Sequence, residues 1–116
     1  MKKIVLVMDS AIIAMEIKKN LENEGYLVPF IKNTLIEVLK KDYDMDLMIL
    51  DMDFVPIRQI REIKSPIIFL SSKKEPETSY NISGLEVTYD FLYKPFTEDE
   101  LIIKTNQILE HDNKNS

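Results

Sequence analysis

Four side chains suited to chemistry stand just after short apolar runs of the sequence. They are two carboxylates, one hydroxyl and one ammonium: Asp9, Asp51, Ser71 and Lys94. Carboxylates at one site either share a proton or hold a cation, and Mg²⁺ prefers oxygen ligands. A lysine ammonium binds a phosphoryl oxygen, and a carboxylate oxygen can attack phosphorus to give an acyl phosphate. If these residues meet, their types indicate phosphoryl transfer to a carboxylate.

Other catalytic chemistries lack their residues in this sequence. The chain has no cysteine, one histidine, His111, and two glycines, Gly25 and Gly84. Thiolate zinc sites, thiol nucleophiles and multi-histidine metal sites are therefore excluded, as is a serine–histidine–aspartate triad. The glycines stand too far apart for the phosphate-binding loops of the P-loop or dinucleotide type. Any catalysis must rest on carboxylates, lysine or hydroxyls.

The charge and length of the chain limit the partners, location and number of domains that we expect. The net charge is −5 and the isoelectric point about 4.9, with lysines scattered among acids. We therefore expect no direct nucleic-acid binding and no membrane partner. Apolar runs such as 4–8 are too short for a membrane span or a signal peptide, which predicts a cytoplasmic protein. The 116 residues fit one domain, expected at 1–111, with a disordered polar tail at 112–116.

A parallel sheet is expected to position the candidate residues. Unbroken apolar runs are typical of strands buried on both faces, and here they alternate with helical patterns. Pro29 predicts that the second strand is an edge strand. We predict an α/β, flavodoxin-like fold: a doubly wound five-stranded parallel sheet in the order 2-1-3-4-5, with ligands bound outside the carboxyl ends of the strands. The predicted strands are 4–8, 26–31, 47–50, 67–70 and 91–93.

Local signals mark where the helices begin. Ser10 is expected to cap the first helix, and Asn33 or Thr34 the second. Pro56 is expected to begin a short third helix, and the capping box at 97–100 opens the last one. The helical period predicts these inward-facing residues: Ile13, Ala14, Ile17, Leu21, Leu35, Val38, Leu39, Ile57, Ile60, Ile63, Leu101, Thr105 and Ile108.

Taken in order, these segments resemble the receiver domain of two-component response regulators, the CheY-like superfamily. The resemblance covers nearly the whole chain. The segments that carry it are 3–9, 46–51, 66–71 and 90–96, and the last of these is the most specific.

The resemblance implies a phosphorylation site. Asp51 matches the aspartate that accepts a phosphoryl group from a histidine kinase or phosphotransfer protein. Mg²⁺ is required in that family, and the matching ligands are Asp9, Asp51 and the backbone carbonyl of Asp53. Lys94 matches the lysine that contacts the phosphoryl group. Any enzymatic activity would be at most self-catalysed phosphoryl transfer to Asp51.

The resemblance also implies a switch and an output surface. Ser71 matches the switch hydroxyl, and Phe91 matches the aromatic residue that turns inward on activation. The bond between Lys94 and Pro95 is usually cis in the family. We expect the face near Phe91 and the last helix to bind a downstream protein partner.

Two departures keep an alternative open. Met8 replaces one acid of the acidic pair that the family has at the end of its first strand, and the segment between Asp51 and Ser71 is short. Asp53 is one candidate to replace the lost charge, although its side chain is most simply solvated. The alternative is a phosphorylation-independent pseudo-receiver that acts as a protein-interaction module.

Two further interpretations need no phosphoryl group. Lys94 can serve as a purely structural salt-bridge partner of Asp51 or Asp9. The same strand order also hosts flavin-binding electron carriers. A flavin phosphate needs a run of backbone N–H groups after the first strand, however, and Asp9 places a negative charge there.

Overall fold

The computed structural model describes residues 1–41, 44–74, 82 and 84–115, with side chains through residue 110. Its described part contains a parallel sheet in the order β2-β1-β3-β4-β5, which confirms the predicted flavodoxin-like topology. The strands are β1 Lys3–Val7, β2 Leu27–Lys32, β3 Leu47–Asp51, β4 Ile67–Ser71 and β5 Tyr89–Tyr93.

The strands differ in burial according to their place in the sheet. Every residue of β3 and β4 is buried, because these strands have neighbours on both sides and cover on both faces. β2 lies at the edge, as Pro29 predicted, and half of its residues are exposed. The buried central strands therefore hold in place the residues that follow their carboxyl ends.

The helices begin at the predicted caps. They are α1 Ala11–Asn23, α2 Leu35–Lys40 and α3 Glu98–Asn115. Ser10 Oγ accepts a hydrogen bond from an N–H in the first turn of α1, and Thr34 Oγ1 does the same for α2. None of the described helices is long and apolar enough to cross a membrane.

The capping box before α3 is formed in both directions. Thr97 Oγ1 accepts from Glu100 N–H at 3.1 Å, and Glu100 Oε1 accepts from Thr97 N–H at the same distance. This contact fixes where α3 starts and therefore how the chain leaves β5.

Each face of the sheet has its own apolar core, as a doubly wound fold requires. Helices α1 and α3 cover the first face, while α2 and the segment after β3 cover the second. Buried residues of the first core include Ile4, Leu6, Met8, Ala14, Ile17, Leu21, Ile49, Leu70, Leu101 and Ile108. Those of the second include Val5, Val7, Leu35, Val38, Met48, Leu50, Ile60, Ile63 and Phe69.

Three expectations differ from the structure. The helix expected from Pro56 is only a 3-10 turn, Ile60–Glu62, because the short connection between β3 and β4 leaves little room for one. Ile13, expected inside, is 50% exposed. Helix α3 continues through the segment expected to be a disordered tail, since no glycine or proline ends it; Ser116 lies outside the described residues.

Replacing one buried and one exposed isoleucine with alanine tests which residues belong to the apolar core. Ile49 in β3 is fully buried, whereas Ile12 on α1 is 83% exposed. We expect Ile49→Ala to lower the free energy of unfolding by about 3 kcal/mol, through lost burial and a residual cavity. Ile12→Ala should change it by less than about 0.5 kcal/mol. Denaturant titration measures both, and equal losses in the two variants would contradict the layer arrangement.

Candidate functional site

The carboxyl ends of β3, β4 and β5 bring three of the predicted residues to one edge of the sheet. Asp51 ends β3 and is 5% exposed; Ser71 ends β4 and is 2% exposed. Lys94 follows β5, and its N–H donates to the Ser71 carbonyl at 2.8 Å, which continues the ladder between these strands. The peptide bond between Lys94 and Pro95 is cis, as the resemblance implied.

Lys94 is the cation of the site. Its Nζ lies 2.9 Å from both carboxylate oxygens of Asp51 and 3.0 Å from Oδ2 of Asp53. The Nζ is also 5.3 Å from the centre of the exposed Phe54 ring, within cation–π range. One ammonium group thus faces two carboxylates and an aromatic ring.

The side chain of Asp53 takes a position that the sequence did not reveal. It was expected to be solvated, yet it is only 14% exposed. Its oxygens accept the Ser72 N–H at 3.1 and 3.0 Å, while its own N–H donates to Asp51 Oδ1 at 3.1 Å. A carboxylate two residues after a strand-end aspartate was the only signal for this contact.

These contacts shift two pKa values in opposite directions. Burial of Asp53 by itself favours the neutral acid, but hydrogen bonds from Ser72 and Lys94 outweigh it and hold the pKa of Asp53 below its ordinary value. Burial of Lys94 favours the neutral amine, but hydrogen bonds to Asp51 and Asp53 outweigh it and raise the pKa of Lys94. The pair of charges is therefore maintained at neutral pH.

The Ser71 hydroxyl is bonded to the backbone of the following loop. Its Oγ accepts from Lys73 N–H at 3.0 Å and donates to the Lys73 carbonyl at 2.7 Å. The residue lies at the predicted edge of the sheet, but in this conformation its hydroxyl stabilises the turn after β4 through hydrogen bonds.

The end of β1 contributes one exposed acid. Asp9 lies two residues beyond Val7, which pairs with Leu50 of β3, so Asp9 and Asp51 follow neighbouring strands. Met8, the residue before Asp9, is 2% exposed and packs in the first apolar core. Besides Asp51, the carboxyl ends of these two neighbouring strands are thus followed by one acid each, Asp9 after β1 and Asp53 after β3.

The donor chemistry of this edge suits Mg²⁺. Within the described part of the chain, no three histidine, aspartate or glutamate side chains are grouped so that they could hold a metal ion. Mg²⁺ keeps several waters, however, and needs only one or two carboxylates. The groups that the resemblance matches to metal ligands, on Asp9, Asp51 and Asp53, are all oxygen donors, the type that Mg²⁺ prefers.

Phe91 lies on the second face of β5. Its half-buried ring is 5.6 Å from that of Phe69 and 5.8 Å from that of Tyr93, stacked on both. The ring therefore belongs to an aromatic row along β5 that packs against β4.

A cavity of about 340 Å³ opens beside the charged cluster, between α1 and the start of α3. Asp51, Lys94, Pro95 and Phe96 line it together with the exposed Ile13. Asp51 and Lys94 therefore border a cavity at this edge of the sheet.

Acid should remove the contribution of Asp53 to stability. Since its folded pKa lies below the unfolded value of about 3.9, the contribution is present above that pH and is lost as pH falls through the folded pKa. We expect Asp53→Asn to be about 1 kcal/mol less stable than wild type at about pH 7, and we expect the difference to shrink as pH falls below about 3.9. Denaturant titration across pH measures this, with Asp44→Asn as the exposed control; a pH-independent difference would contradict the assignment.

Comparison with known proteins agrees with this architecture. No family model matches the chain. The transcriptional regulatory protein ResD of Bacillus subtilis is 32% identical over 123 aligned residues, which cover 98% of this chain and 50% of ResD. The chain spans about half the length of the curated relatives that it matches.

Solved structures show the same domain. The N-terminal domain of a response regulator/sensory box/GGDEF protein from Carboxydothermus hydrogenoformans is 27% identical, with a TM-score of 0.78 and 98% of each chain covered. The beryllofluoride-activated NtrC4 receiver domain is 25% identical, with a TM-score of 0.79 and 96% of this chain and 98% of that chain covered. The chain belongs to the CheY-like receiver domains of two-component response regulators.

Proposed function

We propose that this cytoplasmic receiver domain accepts a phosphoryl group on Asp51 from a histidine kinase or phosphotransfer protein. The observation that carries the proposal is the contact of Lys94 Nζ with both oxygens of Asp51 at 2.9 Å. Asp51 is 5% exposed and lines the cavity between α1 and the start of α3. A nucleophile, a counter-charge for a phosphoryl group and a cavity therefore meet at one place.

The transfer requires one bond to form and one to break. An Asp51 oxygen forms a bond to phosphorus, the bond from phosphorus to the donor's histidine nitrogen breaks, and that nitrogen keeps the electron pair. The permanent charge of Lys94 stabilises the phosphoryl oxygens during this exchange.

Mg²⁺ belongs to this proposal as the second counter-charge. Receiver domains generally bind it at their acidic pocket. Here the carboxylates of Asp9 and Asp51 and the carbonyl of Asp53 would hold it. When bound, it supplies positive charge to the phosphoryl oxygens.

The output surface in this proposal is the face near Phe91 and α3, which would bind a downstream protein partner. Phe91 stacks between Phe69 and Tyr93 and is half-buried, so a change at the neighbouring strand end can alter its packing. Ser71 would act as the switch hydroxyl by exchanging its bonds with Lys73 for a bond to the phosphoryl group.

One observation favours a second candidate, a pseudo-receiver that binds its partner without phosphorylation. Met8 is buried in the apolar core at a position where the family has an acid, so the site has one carboxylate fewer for a cation. In this case the bonds between Lys94 and Asp51 are a permanent structural salt bridge.

Mass spectrometry of the intact protein separates the two candidates. After incubation with acetyl phosphate and Mg²⁺, we expect wild type to gain the mass of one phosphoryl group and Asp51→Asn to gain none. Because Mg²⁺ supplies part of the counter-charge, chelating it should abolish the gain.

The matched control is Asp44→Asn, which removes an exposed lysine-paired carboxylate that stands before β3, whereas Asp51 stands at the carboxyl end of that strand. It should gain the phosphoryl group as wild type does. If wild type gains none, or Asp51→Asn gains as much, the phosphoacceptor role is rejected and the pseudo-receiver stands.

A further inference from the structure

The Asp53 carboxylate is held by donors from two neighbouring strands. Ser72 N–H, just after β4, lies 3.1 and 3.0 Å from its two oxygens, and Lys94 Nζ, just after β5, lies 3.0 Å from Oδ2. We call these two donors the anion cradle. An acid of the chain itself fills this cradle, and the Asp53 side chain is only 14% exposed there.

One donor of the anion cradle, Lys94 Nζ, also contacts the Asp51 carboxylate. Lys94 Nζ is 2.9 Å from both Asp51 oxygens, so a group bonded to one of these oxygens comes within reach of Lys94. A phosphoryl group carries about two negative charges and oxygens that need strong donors. The ionised Asp53 would repel this group and already occupies Lys94, the ammonium that contacts both Asp51 oxygens.

The geometry points to Asp53 as an intramolecular competitor of the phosphoryl group, which must leave the anion cradle before a phosphorylated Asp51 can use it. The inference rests on the proposed role of Asp51 as phosphoacceptor. In the reaction an Asp51 oxygen bonds to phosphorus, and the bond to the leaving group breaks with its electron pair on that group. Asp53 forms no covalent bond and acts only by holding Ser72 and Lys94.

Two measurements on Asp53→Asn test this role, because the amide keeps the shape of the side chain and removes its charge. First, inorganic phosphate is titrated without Mg²⁺ or phosphoryl donor, and the backbone amide signal of Ser72 is followed by NMR. We expect the variant to bind phosphate about tenfold more tightly than wild type. Second, acetyl phosphate and Mg²⁺ are added, and we expect the variant to be phosphorylated about tenfold faster.

Asp44→Asn is the control for the change in net charge and should behave as wild type in both measurements, since its carboxylate is exposed and pairs with Lys3. Equal phosphate affinity in wild type and Asp53→Asn would overturn the inference whether or not Asp51 is phosphorylated. If wild type is phosphorylated and the variant is no faster, the inference also fails. Tighter phosphate binding with no phosphorylation of either protein would keep Asp53 as the occupant of the cradle and reject Asp51 as phosphoacceptor.

Discussion

One ammonium group set against two carboxylates is the interaction on which the site depends. Lys94 binds both oxygens of Asp51 and one oxygen of Asp53, and the side chains of all three residues are largely buried. Buried carboxylates without a counter-charge would take up protons or move into solvent. The strand order makes this contact available, because β3, β4 and β5 lie side by side and end at the same edge. The fold therefore concentrates negative charge at one place and supplies one fixed positive charge to hold it.

The acids near Lys94 are arranged differently from the acidic pair that the receiver family has at the end of its first strand. Met8 places an apolar side chain in the core at the end of β1, and Asp9 remains exposed beyond it. On the other side, Asp53 is turned towards Ser72 and Lys94. The chain thus has two carboxylates in contact with the lysine and a third at the edge, although one acid of the family's pair is missing. The positions of these carboxylates, and not only their number, therefore determine which ions the site can bind.

Much of the framework was predictable because its signals are local and periodic. Unbroken apolar runs marked the central strands, Pro29 marked the edge, and the capping box at 97–100 marked the start of α3. Parallel topology then placed Asp51 and Lys94 at one edge without any further information. The contact between these two residues was foreseen as a possible salt bridge, and the structure contains it.

The rest depends on side-chain directions that no local pattern encodes. Asp53 turns towards Ser72 because a neighbouring strand ends there, and Ser71 bonds to its own loop instead of facing Asp51. The helix expected after Pro56 does not form, because the connection between β3 and β4 is too short for it, although the apolar residues have a helical period. In each case a tertiary constraint overrides a local preference.

We propose that the excess negative charge at this edge binds a divalent cation that assists the transfer of a phosphoryl group. Titration with Mg²⁺, followed by amide NMR, tests for this cation site. We expect saturable shifts at Asp9 and at Asp53, whose N–H donates to Asp51, and we expect Asp9→Asn to weaken them strongly. Small shifts that do not saturate, or a response that is unchanged in Asp9→Asn, would show that this edge is not such a cation site.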